Sequence, residues 1–380
     1  MAEVDLLFAF DVRIDRPPCP VDMPSAGRRQ FATAAIAALR GVFEEATGRK
    51  ARAVVLFGDL LDPARTSPAQ AADIAELIDA FVEGGGAVVV TTAGGDAANA
   101  LATALGEPPG LSLLTPGTPV LLRSGRMIVE LACDDPSDVQ ITTLREAATD
   151  TLDEADVAPQ HVARALVRGR RDRPRAPLAD AAAYASLWTL PSLQPRSRYE
   201  HGPGSAGCLR LSSEGRINGW SEFSTALVSW HDVRTVCSAS EQEEELSATA
   251  AVEMEQAVAA CQTPLAIMRL LVDCEADAER RGRVSRMAPA VLGEMRQLLE
   301  TMPDAPDQTV AWCEQVEADP AESLASIADA DDIGGSRRFP AMLAAEAATW
   351  PLTASGDDRV DPAEVVREAT WMTLELLEHD

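Results

Sequence analysis

Two stretches of this sequence join an apolar run to a carboxylate, the pairing that metal-assisted phosphate chemistry needs. Val4–Phe10 (VDLLFAF) runs into Asp11, and Ala53–Phe57 (AVVLF) runs into Gly58-Asp59-Leu60-Leu61-Asp62. If both runs are neighbouring strands, their carboxylates meet at one sheet edge, where α/β sheets bind ligands. Two divalent ions roughly 3.5–4 Å apart can share a bridging carboxylate there and clamp a phosphate. Gly58 would give a bridging Asp59 the backbone room to reach both ions. The plainer reading is a Gly-Asp turn closing a strand. Nitrogen ligands are scarce, because His161, His201, His231 and His379 are the only histidines. A dinuclear phosphate centre needs about that many imidazoles at fixed positions.

The elements that must position these residues follow from the hydrophobic pattern. Arg28–Ala46 carries Phe31, Ala35, Leu39 and Phe43 at four-residue steps and reads as a helix. Ser67 before Pro68 starts a second helix, which Gly84-Gly85-Gly86 stops. Ala87–Thr92 is a third strand, followed by Ala93-Gly94-Gly95-Asp96 and a helix to Leu105. Alternating strands and helices imply βαβ units and a parallel sheet. Pro119–Leu122, Arg126–Leu131, Ala163–Val167, Gly207–Ser212, Arg216–Trp220 and Ser224–Ser229 read as later strands. Past residue 238 the composition shifts. An acidic helix, then Leu265–Val272, Ala288–Glu300 and Thr309–Val316, read as a separate small α/β domain.

Bulk properties narrow the functions. The 380-residue chain has 46% hydrophobic residues and a net charge of −27. A surface that acidic repels a phosphate backbone, so direct DNA binding is not expected. The main basic stretch is the arginine-rich Arg164–Arg175, which reads as a solvated loop or a local nucleic-acid patch. Seven scattered cysteines without a C-x-x-C pair suit free thiols in a cytoplasm. No apolar run reaches the ~20 residues that span a bilayer, and the first residues lack a basic signal-peptide region.

In order along the chain, these motifs resemble the calcineurin-like metallophosphoesterases, and most of all the SbcD-type nuclease subunit of DNA double-strand-break repair. That family opens with a strand ending in Asp-x-His, continues with an Arg…Ala-Thr…Ala-Phe helix, and ends its second strand in Gly-Asp-Leu-x-Asp. Here the matching residues are Phe10-Asp11-Val12-Arg13, Arg28-Arg29-Gln30-Phe31-Ala32-Thr33 and Val54–Asp62. Leu193-Gln194-Pro195-Arg196-Ser197 and Gly202–Leu209 resemble the segment after the family's last histidine motif. The resemblance spans roughly 1–320. It implies a calcineurin-like β-sandwich flanked by helices over 1–236, a small α/β capping domain over 237–320 and a helical C-terminal tail over 321–380.

The departures concern the ligands. Asp11, Asp59 and Asp62 stand where the family has carboxylates, but Arg13 replaces the first histidine. Gly95-Asp96 replaces the Asn-His pair, Arg168 takes the strand-ending histidine's place, and the final Gly-His-x-His has no counterpart. Two carboxylates alone do not cage two manganese-type ions. The guanidinium groups of Arg13 and Arg168 either replace the metal charge beside Asp11 and Asp59 or point to solvent. Trp188 falls in the emptied motif and is a candidate to fill its cavity. His161 and His201 lie outside the family's ligand positions.

Three functions remain open. The leading expectation is a degenerate, non-catalytic relative with no bound metal, acting as a structural or regulatory partner of an SMC-like coiled-coil ATPase. The others are a metal-dependent phosphoesterase with a rebuilt two-ion site, and an arginine-lined anion- or nucleotide-binding module. The stripe Val365, Ala369, Met372 and Leu376 in the tail could dock on a coiled coil or pack on its own domain, and a homodimer is a separate expectation for the chain.

Overall fold

The computed structural model describes residues 3–16, 23, 28, 31–145, 160–169, 184–196, 204–237, 242–274, 278–301 and 309–318. It shows a mixed α/β protein with three sheets. The chain divides into two compact units. One comprises Met1–His231, Glu255–Met268 and Leu299–Glu314; the other comprises Asp232–Met254, Arg269–Leu298 and Gln315–Asp380.

The first unit holds a two-sheet sandwich. Its first sheet contains β1 (Val4–Phe10), β2 (Ala53–Phe57), β3 (Ala87–Thr91), β4 (Leu111–Leu114), β10 (Ala206–Leu211) and β11 (Ile217–Phe223), in the order β11-β10-β1-β2-β3-β4. β1 to β4 run parallel, while β10 and β11 are antiparallel additions. The parallel strands are apolar on both sides because both sides are covered. From β1, Leu7 and Ala9 face a helical layer, while Leu6, Phe8 and Phe10 face the second sheet.

The helical layer is α1 (Ala34–Arg49), α2 (Pro68–Glu83) and α3 (Gly95–Ala104). α2 begins as its sequence promises, with a capping box in which Ser67 accepts from the Gln70 backbone and the Gln70 side chain reaches back to Ser67. α1 runs three residues past the expected Ala46 and ends at Lys50, which adopts a left-handed φ of 55°. The expected stripe on α1 divides. Ala35, Leu39 and Phe43 join the sheet-facing core, whereas Phe31 packs with Met23, Val228, Ile267 and Trp312.

The second sheet runs β5 (Val120–Ser124), β6 (Met127–Ala132), β7 (Asp138–Arg145), β8 (Gln160–Gly169) and β9 (Ser186–Leu190). Its inward residues, among them Leu131, Val139, Ile141 and Val167, meet Phe8, Phe10, Val55 and Phe57. Among the described residues, helices cover the outer face of the first sheet. At one side of the sandwich Trp188 of β9 stacks on Trp220 of β11, with centroids 4.8 Å apart and planes 9° apart.

The third sheet orders β12 (Val228–Val236), β13 (Leu265–Asp273) and β14 (Val310–Ala318); along the chain α4 (Glu243–Ala260) precedes β13 and α5 (Ala278–Thr301) precedes β14. β12 starts later than the expected Ser224. The buried Gln194 side chain takes the Leu227 and Val228 backbone N–H groups at 2.8 and 3.2 Å, so a side chain serves there in place of a strand partner. In the second unit, Arg269 holds Asp232 at 2.7 Å and Glu317 at 2.8 Å.

Candidate functional site

The C-terminal ends of β1 and β2 do not separate where the strands stop. Asp11 N–H donates to Phe57 O at 2.9 Å, Arg13 N–H to Asp59 O at 3.0 Å and Ile14 N–H to Leu60 O at 3.1 Å. The two loops therefore stay zipped for four more residues. To do so, Asp11 and Arg13 take left-handed φ values of 54° and 42°. Such conformations cost free energy in a residue with a Cβ, and aspartate tolerates them better than most.

Two glycines make the approach close enough. Gly58, at φ 78°, lies against the Phe10 ring, and so does Gly169 at the end of β8. A Cβ at either position would overlap that ring. Gly58 N–H donates to Pro136 O at 2.7 Å, and Thr91 Oγ1 also donates to Pro136 O at 2.7 Å. The ends of β1, β2 and β3 and the β6–β7 turn are thus drawn together beside the carboxylates.

Asp11 and Asp59 meet as their positions require, and arginines hold them. The Asp11 carboxylate is nearly buried, at 8% side-chain exposure. Its Oδ1 accepts from Arg13 Nε at 2.8 Å and its Oδ2 from Arg196 Nη2 at 2.7 Å. The other end of the Arg13 guanidinium reaches Asp59 Oδ2 at 2.7 Å. Arg13 therefore bridges the two carboxylates. Arg196 is itself only 10% exposed, so Arg196–Asp11 is an interior pair, while Asp59 stands 57% exposed at the mouth. A buried carboxylate is tolerable only when charge and hydrogen bonds compensate its lost hydration, and these guanidinium groups do so.

The remaining sequence candidates divide. Arg168 does not join the centre. Its guanidinium pairs with Asp138 Oδ2, at 3.1 Å from Nη2, because Asp138 faces it across the β7–β8 ladder. Asp62 turns away as well, its Oδ1 accepting from Ala64 N–H at 2.9 Å to shape the approach to α2. Its backbone N–H donates to Asp15 Oδ1 at 3.1 Å, which ties the two loops together once more. Gly95 and Asp96 form the first turn of α3 and are exposed there. Trp188 stacks on Trp220 at the side of the sandwich, so it does not plug the carboxylate end. His161 is exposed on β8. His201, most of the arginine-rich stretch, and Val365, Ala369, Met372 and Leu376 lie outside the described residues.

Arg196 is the residue that sequence reasoning missed in this role. Leu193 N–H donates to Phe10 O at 2.7 Å, which anchors its segment to the end of β1. Gln194, fully buried, bonds the start of β12 through both its oxygen and its nitrogen. Pro195 then leads directly to Arg196. The signal was present as Gln-Pro-Arg, a polar pair around a proline just after an apolar strand.

A pair of divalent ions does not fit these residues. Both oxygens of Asp11 and one of Asp59 already accept from guanidinium groups, and a cation would have to expel Arg13 from between them. Among the described residues, no group of three or more His, Cys, Asp or Glu side chains is placed to hold a metal ion. Fold and site together define an α/β sandwich protein whose carboxylate end is closed by ion pairs. No protein-family model matches the chain, and no curated protein matches it. Among the described residues no helix is long and apolar enough to cross a membrane.

Proposed function

We propose that this chain is a catalytically degenerate calcineurin-like metallophosphoesterase of the SbcD-type branch. It serves as a structural or regulatory subunit, with an SMC-like coiled-coil ATPase as its partner. One observation carries the reading: Arg13 spans Asp11 and Asp59, and Arg196 occupies the second oxygen of Asp11. Guanidinium groups supply the positive charge that metal ions would otherwise bring, and they keep two strand ends together without a nucleophilic water. The same pairs weigh against an anion-binding module, because two arginines against two aspartates leave no net positive charge for a phosphate. The tail stripe Val365, Ala369, Met372 and Leu376 is the surface proposed for the coiled coil.

A Mn²⁺ titration by calorimetry, run beside Asp59→Asn and paired with a phosphodiester hydrolysis assay, tests the reading. The expected result is no Mn²⁺ binding that depends on Asp59 and no Mn²⁺-stimulated hydrolysis. Two tight sites that vanish in Asp59→Asn, together with hydrolysis, would overturn it in favour of a rebuilt enzyme.

A further inference from the structure

Among the described residues the three sheets leave six edge strands: β4 and β11, β5 and β9, β12 and β14. An edge strand presents a row of unpaired backbone N–H and C=O groups, and folded chains guard such edges with charge, bulges, shortness or cover. Five of the six carry a guard. β5 holds Arg123, β12 holds Asp232 and Arg234, and β14 holds Glu314 and Glu317. β11 holds Glu222, and its pairing with β10 shifts register at Arg210/Leu211. β4 has only four residues, and its Leu111 and Leu113 pack on the helix-facing core.

β9 has none of these. Its residues, Ser186–Leu190 (SLWTL), include no charge, no proline and no glycine. Its register against β8 runs without a shift. Side chains alternate between the two faces of a strand. On the inner face Leu190 is fully buried and Trp188 stacks on Trp220, so the strand is held in place. On the outer face Leu187 is 50% exposed, and Thr189 next to it is exposed as well. A regular, uncharged edge with an exposed leucine is a ready template for another strand.

We propose that β9 is the contact of a homodimer, in which a second copy of this chain lays its own β9 antiparallel along the free edge. The two five-stranded sheets then join into one across a two-fold axis. With Trp188 at that axis, Leu187 of each copy lies opposite Thr189 of the other, so both exposed side chains gain a cross-strand neighbour. Charge favours this occupant and this place. Each copy carries a net charge of −27, so copy-to-copy contact over most of the surface presses like charges together. The β9 strip brings no charge to the contact from either side, and a second copy supplies a strand of the same length and the same neutrality. Five residues of edge make a small interface, which puts the dimer in the weak, concentration-dependent class.

Sedimentation equilibrium of the full chain over roughly 1–100 µM, a range suited to a small interface, tests the pairing. A reversible monomer–dimer equilibrium is expected. Leu187→Lys is expected to weaken it by about tenfold or more, because each copy then sets a charge in the neutral strip. Leu187 is half exposed, so the variant is expected to keep the circular dichroism and urea midpoint of the wild-type monomer. Leu121→Lys, at a comparably exposed leucine on β5 at the other edge of the same sheet, is expected to leave the equilibrium unchanged. Hydrogen exchange gives a readout that needs no variant: the amides of Ser186–Leu190 are expected to exchange more slowly as concentration rises. A monomer at every concentration, a dimer that Leu187→Lys leaves intact, or one that Leu121→Lys weakens equally would overturn the assignment.

Discussion

At the scale of single residues, the two halves of the ion-paired centre differ in what they are worth. Arg196 and Asp11 are both nearly buried, whereas Asp59 is mostly exposed. Removing one partner of an interior pair strands a charge away from water, at a cost of about 3–5 kcal/mol. Exposed pairs contribute roughly 0–1 kcal/mol. Arg196→Met is therefore expected to lower the urea midpoint strongly, by about 3 kcal/mol in stability. Asp59→Asn is expected to change it by less than about 1 kcal/mol. Equal effects of the two substitutions would mean that burial does not set their worth. The carboxylates themselves were legible from the sequence, because an apolar run followed by Asp needs only local pattern. Arg196 was not legible, since its partner lies 185 residues away. Arg168 misled for the opposite reason. It was expected just past a strand ending at Val167, but β8 runs on to Gly169, and its nearest acid is set by the β7–β8 register, which no local pattern reveals.

At the scale of elements, the parallel strands and their helices could be read directly, because strands covered on both faces are continuous apolar runs and the α2 start carries its cap in the sequence. β4, β7 and β9 were missed. β7 (DVQITTLR) mixes polar and apolar residues, and β9 (SLWTL) is short enough to pass for a loop. The packing of the strand ends on Phe10 was also invisible, although it fixes the geometry of the centre. Gly169 touches the Phe10 ring so closely that a methyl group has no room. Gly169→Ala is expected to destabilise the fold by about 1–3 kcal/mol through overpacking, read as a lower midpoint in denaturant. Gly94→Ala is a fitting control. No atom lies within 4 Å of the position its Cβ would occupy, and its φ of 169° is ordinary extended backbone.

At the scale of the whole molecule, charge dominates. A net charge of −27 over 380 residues opposes contact with a polyanion at any distance shorter than the screening length. Fluorescence anisotropy with duplex DNA at physiological ionic strength is expected to show no binding by the chain alone. Binding that weakens steeply as salt rises would instead reveal a local basic patch, with the arginine-rich stretch as its first candidate.

The zipped loops and the Phe10 contacts also bear on how the carboxylate end could be redesigned to take a metal ion. Arg13→His would free one side of Asp11, yet Arg196 would still hold the other. Any side chain at position 169 would first require Phe10 to vacate its place between the sheets. Each change alone removes a stabilising contact before it adds a ligand, so opening this end takes several coordinated substitutions.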